Sequence, residues 1–281
     1  MKTQTPPLLV AGLLVGAVLV VALYAPVLVW MVRTWARDAY YGHAFFIPPV
    51  VAFLVWAKRG RLARIRLDGH PAGCALLAGG LLLYAGGIWL DVHFVSAVSL
   101  VAVLGGAVLW IWGTKAAREL LFPLAFLLFM VPLGRLLSDA FSNPLQRAST
   151  QLTSHALGLL GLHAQTHGAS IEVPGYTFVV GQPCSGLKSI IAMTALAALL
   201  AYLLEGPLWK RIIVFAAATP TAVAANVVRI TIVVLVGKSF GAEAAESLFH
   251  GVSGIIVFVV GLGALTGIGR VLGCRRIRGE F

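Results

Sequence analysis

The chain has little charge. Of its 281 residues, 11% are Asp, Glu, Lys or Arg, against about 25% in an ordinary soluble domain. Acid is scarcer still, with ten Asp and Glu set against 21 Lys and Arg. There are three cysteines, Cys74, Cys184 and Cys274, and no zinc-binding spacing joins them to histidines. A phosphate-binding glycine loop and a dinucleotide fingerprint are both missing, as are long repeats and low-complexity stretches. These absences leave no pattern for nucleotide chemistry or a structural metal, and no metal or other cofactor is expected.

What fills the chain is apolar. Hydrophobic residues make up 59% of it, and the mean hydropathy is +0.94. Only lipid hides so large an apolar surplus. The chain therefore reads as an integral membrane protein with no soluble domain of its own. A net charge of +11 would suit nucleic acid, but the basic residues cluster where membrane orientation needs them. The expected partner is the bilayer, not nucleic acid.

A membrane span needs about 20 mostly apolar residues. Eight segments qualify: about 8–31, 40–57, 72–90, 94–112, 119–137, 185–204, 212–236 and 250–272. The first run is too long for a signal-peptide core of about 7–15 residues, so it is expected to be a retained span. The second and fifth are short and carry Pro48, Pro49, Pro123 and Pro132, which predicts tilt or distortion.

Positive charge sets the orientation. With the N-terminus inside, the inner segments hold Lys2, Lys58, Arg59, Arg61, Arg64, Arg66, Lys115, Arg118, Lys210, Arg211, Arg270, Arg275, Arg276 and Arg278. The outer segments hold only Arg33, Arg37, Arg135, Arg147 and Lys238. Both termini are thus expected in the cytoplasm. The expected fold class is all-α: a single polytopic transmembrane helix-bundle domain over 1–281, with about eight transmembrane helices and an extracytoplasmic loop over 138–183.

That loop is patterned. Leu137, Phe141, Leu145, Ala148, Leu152, Ala156 and Leu159 recur at spacings of three and four, with Ser142, Asn143, Gln146, Arg147, Ser149, Thr150 and Thr153 between them. This predicts an amphipathic helix on the outer leaflet or over the bundle. Further on, Ile171 and Val173, then Tyr176, Phe178 and Val180, alternate around Pro174-Gly175. This predicts a small β-hairpin, whose edge could accept an extended substrate strand or be purely structural. It delivers the chain directly to Cys184.

Cys184 stands in Gln182-Pro183-Cys184-Ser185-Gly186-Leu187-Lys188, where a loop enters an apolar helix. It is the only cysteine predicted at the outer face, so it lacks an intramolecular disulfide partner in an oxidising compartment. A helix N-terminus favours a thiolate, and Lys188, expected one turn deeper on the same face, adds positive charge. The ordinary fate of cysteine in an apolar protein is burial without reaction, which suits Cys74 and Cys274.

Arg229, in Ala225-Asn226-Val227-Val228-Arg229-Ile230, is expected about two turns below the outer end of the seventh span. Ionisable residues at such depth are functional candidates. The predicted span cores contain no Asp or Glu, so a thiolate, an oxyanion or an acidic substrate is the natural counter-charge for Arg229 and Lys188. The plainer alternatives for Arg229 are snorkelling or pairing with Glu172, Glu243 or Glu246 from loops. Asn226 shares the face of Arg229 and could hold it. His250 is expected to open the eighth span, where it could shuttle protons or sit wetted at the interface. His43, in Tyr41-Gly42-His43-Ala44-Phe45, is its rival. His163 and His167 are spaced for one helical face but fall where the helix should end, without acidic or cysteine ligands nearby.

Three islands line up: PCSGLKS with Cys184, NVVRI with Arg229 and HGVSGIIVF with His250. Their order, each at the outer mouth of a different span, resembles the exosortase/archaeosortase family of membrane cysteine transpeptidases. YYGHAFFIPPVVAFLVW also resembles that family's early Tyr-Ser-His-Gly-Phe segment, but with Gly42 and Ala44 flanking His43. The extra C-terminal domain fused to some members is not expected. The resemblance implies a cysteine-type endopeptidase or transpeptidase in the inner membrane, its active site on the extracytoplasmic side. It would cut C-terminal sorting signals of exported proteins, which combine a short motif (often Pro-Glu-Pro), a hydrophobic helix and a basic tail. It also implies roles: Cys184 as nucleophile through a thioester, His250 as general acid/base, and Arg229 stabilising the oxyanion or orienting the thiolate. Lys188, Asn226 and His43 would support the site or bind substrate. Two rivals stand beside it. A transporter for an anionic substrate would use Lys188 and Arg229, and a silent export or exopolysaccharide scaffold would need none of the three residues.

Overall fold

The computed structural model describes residues 7–38, 40–181, 186–251 and 253–274. They form a helical membrane protein with one small sheet, in two compact units. The first unit is Met1–Asp38 with Ala44–Pro132, and the second is Ala39–His43 with Leu133–Phe281.

In the first unit, α1 (Pro7–Arg37) is followed by a 3-10 turn (Gly42–Phe46) that straddles the two units. Next come α2 (Ile47–Ala57), α3 (Arg59–Leu62), α4 (Ala72–Trp89), α5 (His93–Phe126) and a second 3-10 turn (Leu127–Met130). The pairing of α4 with α5 rests on glycine. Gly73, Gly80 and Gly87 recur every seven residues and are buried. A Cβ at Gly80 would lie 2.8 Å from Val103 Cγ2, and one at Gly73 or Gly87 would overlap the backbone of Trp110 or Ser96. Small residues let helix backbones approach this closely without a hydrophobic driving force in lipid.

The run His93–Met130 spans 38 residues. At about 1.5 Å per residue it would far exceed the roughly 30 Å of bilayer hydrocarbon. It is broken at Gly113, whose φ of 76° is left-handed. Any side chain there would collide with Asp68 O. The break falls next to residue 112, where the fourth span was expected to end. Lys58, 7% exposed, donates to the Glu119 carboxylate at 2.7 Å and to the Glu119 carbonyl at 2.8 Å; Arg61 lies 3.9 Å from the same carboxylate. Polar groups inside the apolar unit are paired: Tyr24 with Ser99 at 2.8 Å, and Trp35 Nε1 to Met130 O at 2.8 Å.

The second unit contains α6 (Gly134–Leu159), β1 (Gln165–His167), β2 (Ser170–Val173), β3 (Tyr176–Val179), α7 (Leu187–Leu203), α8 (Leu208–Ala216), α9 (Ala218–Phe240), α10 (Ala242–Gly251) and α11 (Ser253–Val271). The expected hairpin is present, with Val173 opposite Tyr176 across Pro174-Gly175. The expectation missed β1, which adds a third antiparallel strand in the order β1-β2-β3. The sheet packs on α6 and α9 through Leu157, Ile171, Val173, Val180, Ile230 and Val234.

The outer surface is apolar: Leu14, Val18, Leu82, Trp89 and Val271 are all more than half exposed. Among the described residues, four stretches are long and apolar enough to cross a membrane, namely Leu14–Arg37, Ala72–Trp89, His93–Met130 and Leu208–Phe240; Gly42–Ala57, Leu187–Leu203 and Val257–Val271 are shorter apolar helical stretches. Thr194, Thr231 and Thr266 each donate to the carbonyl four residues earlier at 2.7–2.8 Å. This hides hydroxyls that lipid could not solvate.

Candidate active site

The site is built on α6. Its amphipathic pattern is as expected, and its apolar face is turned away from the protein, which fits the leaflet alternative and not a helix laid over the bundle. The apolar residues Phe141, Leu152 and Leu159 point outward, at 54%, 46% and 90% exposure. Ser142, Ser149, Thr150 and Thr153 are buried. A helix resting its apolar side on the protein would do the opposite. Here the apolar side is exposed; along the hydroxyl stripe, Ser142 and Ser149 meet polar groups of other segments, and Thr150 bonds back to Gln146 O of its own helix.

Four segments meet that stripe. Tyr40 Oη lies 3.4 Å from Ser142 Oγ. The neighbouring Tyr41, 4% exposed, accepts from the Leu133 amide just before α6 at 3.0 Å. One turn along, Gln146 Nε2 donates to Val180 O, where the chain leaves β3. One turn further, Asn226 Nδ2 on α9 donates to Ser149 Oγ at 3.2 Å. Gly186 then packs on both partners: a Cβ there would lie 3.2 Å from Asn226 Nδ2 and 3.7 Å from Ser149 Oγ. Its φ of 89° is left-handed, and its carbonyl accepts the Ile190 amide to begin α7. Only glycine meets both demands without strain.

The predicted site residues fall as follows. Cys184 lies outside the described residues, three positions before the first helical residue of α7. Lys188 is the second residue of α7 and is exposed. Asn226 is fully buried. Arg229 is half-buried on α9, which runs eleven residues beyond it to Phe240, about a turn more than expected. His250 does not open a helix. The helix begins at Ala242, two turns earlier, after Gly241 (φ 91°) ends α9. Ala242, Ala244 and Ala245 favour helix, and Glu243 suits its first turn. The His250 side chain is outside the described part. His43 is half-buried in the 3-10 turn, in the segment tied by Tyr40 and Tyr41 to α6. His163 and His167 do not share a helix: α6 ends at Leu159 and His167 lies in β1.

Below this level, α7, α9 and α11 pack through small residues. Met193, Ala197, Ala222, Ala225, Val257 and Leu265 form one buried cluster, and Met193 fills the space over Gly261. α7 begins within the cysteine island, α9 carries the arginine island, and α11 begins within the histidine island. Tyr176 of β3 covers Gly237 of α9, and burial pushes its hydroxyl pKa up from the ordinary value. It stays a neutral group at physiological pH.

The sequence reading missed Ser142, Gln146 and Ser149 as site-forming residues. The signal was there, in polar side chains at spacings of four and three. The expectation named these residues as the polar face of the helix and gave them no partners.

The chain matches none of the curated proteins and none of the solved structures. The family model of the transmembrane exosortases matches residues 35–267, which takes in all three islands and the segment of His43. The chain belongs to the transmembrane exosortase family, membrane-embedded enzymes that sort exported proteins by proteolysis or transpeptidation.

Proposed function

We propose that the chain is a cysteine transpeptidase or endopeptidase that cuts C-terminal sorting signals of exported proteins at the outer face of the cytoplasmic membrane. The observation that carries this reading is the contact of Gly186 with Asn226. It joins the cysteine and arginine islands, which lie some forty residues apart in sequence.

In this mechanism the Cys184 thiolate attacks the scissile carbonyl. The C–N bond breaks, the departing amine takes a proton from His250, and the acyl group remains on sulfur as a thioester. Arg229 balances the negative charge on the tetrahedral oxygen. An acceptor amine, or water, then gives its proton to His250, attacks the thioester and frees the thiolate. Asn226 holds the turn beside the nucleophile. Lys188, at the start of α7, and His43 are proposed to assist substrate binding.

Orientation follows the basic residues, with both termini cytoplasmic and 138–183 extracytoplasmic. The ion pair of Lys58 with Glu119, with Arg61 nearby, supports a shared depth for the two basic segments around 58–66 and 115–118. The count of about eight crossings, and the assignment of both units to a single catalytic domain, belong to this proposal.

The extended substrate segment is proposed to pair with the outer edge of β3. Val180 N donates to Ala169 O at 2.7 Å, and Val173 pairs with Tyr176 at the turn. In an antiparallel ladder the bonded pairs alternate, so Thr177 and Val179 turn their N–H and C=O groups away from β2. Among the described residues no backbone group pairs with that edge.

The test is co-expression with a tagged exported protein bearing a motif, an apolar helix and a basic tail, beside native, Cys184→Ala and Cys184→Ser forms. The expected result is cleavage by the native form alone. Cleavage by both variants contradicts the mechanism and leaves the transporter or scaffold reading.

A further inference from the structure

We propose that Ser149 is a positioning residue of this active site. Its hydroxyl fixes the Asn226 carboxamide, which supports the Gly186 turn that carries the cysteine island. The proposal rests on the cysteine-peptidase reading above.

Three observations converge. Ser149 is 3% exposed and Asn226 is 0% exposed, so water cannot substitute for either partner. Asn226 Nδ2 donates to Ser149 Oγ at 3.2 Å, which ties the carboxamide of α9 to α6. Gly186 turns its side-chain position toward both: a Cβ there would lie 3.2 Å from Asn226 Nδ2, 3.6 Å from Asn226 Cγ and 3.7 Å from Ser149 Oγ. The pair is therefore a floor under a turn only two residues from Cys184. Asn226 also stands one helical turn before Arg229 on α9. A rotated carboxamide would disturb the turn and the arginine face together.

Losing the Ser149 hydroxyl removes an acceptor from a buried amide, and a lost buried hydrogen bond loosens the hold on the carboxamide. Misplacing a nucleophile by about an ångström costs on the order of a hundredfold in rate. The effect belongs in the chemical step, because Ser149 itself is buried away from an incoming peptide.

The experiment purifies the full chain in detergent with Ser149→Ala, Ser149→Thr and Ser149→Cys. It measures kcat and KM on a sorting-signal peptide and, without substrate, the pH profile of iodoacetamide alkylation at Cys184, resolved by peptide mass. The expected result for Ser149→Ala is a kcat lower by roughly ten- to a hundredfold, a KM within about twofold of native, and an altered alkylation profile; Ser149→Thr restores most of both. Native kcat and a native profile in Ser149→Ala would overturn the proposal. If Ser149→Ala does not fold, Thr and Cys decide: Thr keeps the oxygen acceptor and Cys keeps the size, so equal turnover in those two also overturns it. Processing that survives Cys184→Ala in the same assay would instead overturn the peptidase reading itself, so the two failures are distinct.

Discussion

Asn226 and Ser149, both buried and 77 residues apart in sequence, share one hydrogen bond of 3.2 Å. That bond joins α9 to α6 and sits directly beneath Gly186. It brings the polar side of α6 against α9 and the Gly186 turn, with Phe141, Leu152 and Leu159 exposed on the other side.

Gly186 is the first consequence. Alanine there is strained by a left-handed backbone, at about 1–2 kcal/mol, and presses on Asn226 Nδ2 at 3.2 Å. Gly186→Ala is expected to cut substrate processing at least tenfold. Gly175 is the control: its φ is 84° but its surroundings are open, so Gly175→Asn should process normally, since Asn tolerates that conformation. Processing assays on the two variants check this.

The glycine seam of α4 and α5 gives a stability prediction. Gly80→Ala would push a methyl group to 2.8 Å from Val103 Cγ2 and 3.0 Å from Val103 N, at a cost of about 1–3 kcal/mol. Gly79 faces open space, so Gly79→Ala should be neutral or stabilise by up to about 1 kcal/mol through helix propensity. Thermal unfolding in one detergent reads the difference.

The sheet edge separates substrate pairing from hairpin integrity. Val179→Pro removes an outward N–H and leaves the bonds to β2 in place, whereas Phe178→Pro removes one that pairs with β2. Val179→Pro is expected to fold normally and raise KM several-fold, while Phe178→Pro lowers stability as well. A native KM in Val179→Pro contradicts pairing at that edge.

Thr153 carries a hydroxyl that is buried with no hydrogen-bond partner among the described residues. Thr153→Val keeps the shape and removes that oxygen. Stability should hold or rise by about 1 kcal/mol, with turnover unchanged, as measured by melting temperature and processing. A marked loss of either would mean that the hydroxyl serves water or substrate.

Much of this architecture was legible in the sequence, and the exceptions have physical causes. The apolar runs fixed where helices lie, and Pro174-Gly175 fixed the hairpin register. β1 was hidden because Gln165, Thr166 and His167 are all exposed and show no alternation of apolar with polar. The break at Gly113 was legible only as a span end near residue 112. The orientation of α6 was left open because periodicity defines two faces and does not say which one meets the protein. The islands around Cys184, Arg229 and His250 were visible by residue type and order. Their supports at Ser149 and Gln146 were not, because a hydroxyl or amide stripe reads as a solvated face until its partners are placed.

The most direct measurement is the mass of the acyl-enzyme. The enzyme is mixed with a sorting-signal peptide, quenched and digested, and the peptide containing residues 182–187 is weighed with and without hydroxylamine. The mechanism predicts an acyl adduct on Cys184 that hydroxylamine removes as the substrate hydroxamate. Efficient cleavage with no adduct on Cys184, or an adduct on another residue, would contradict it.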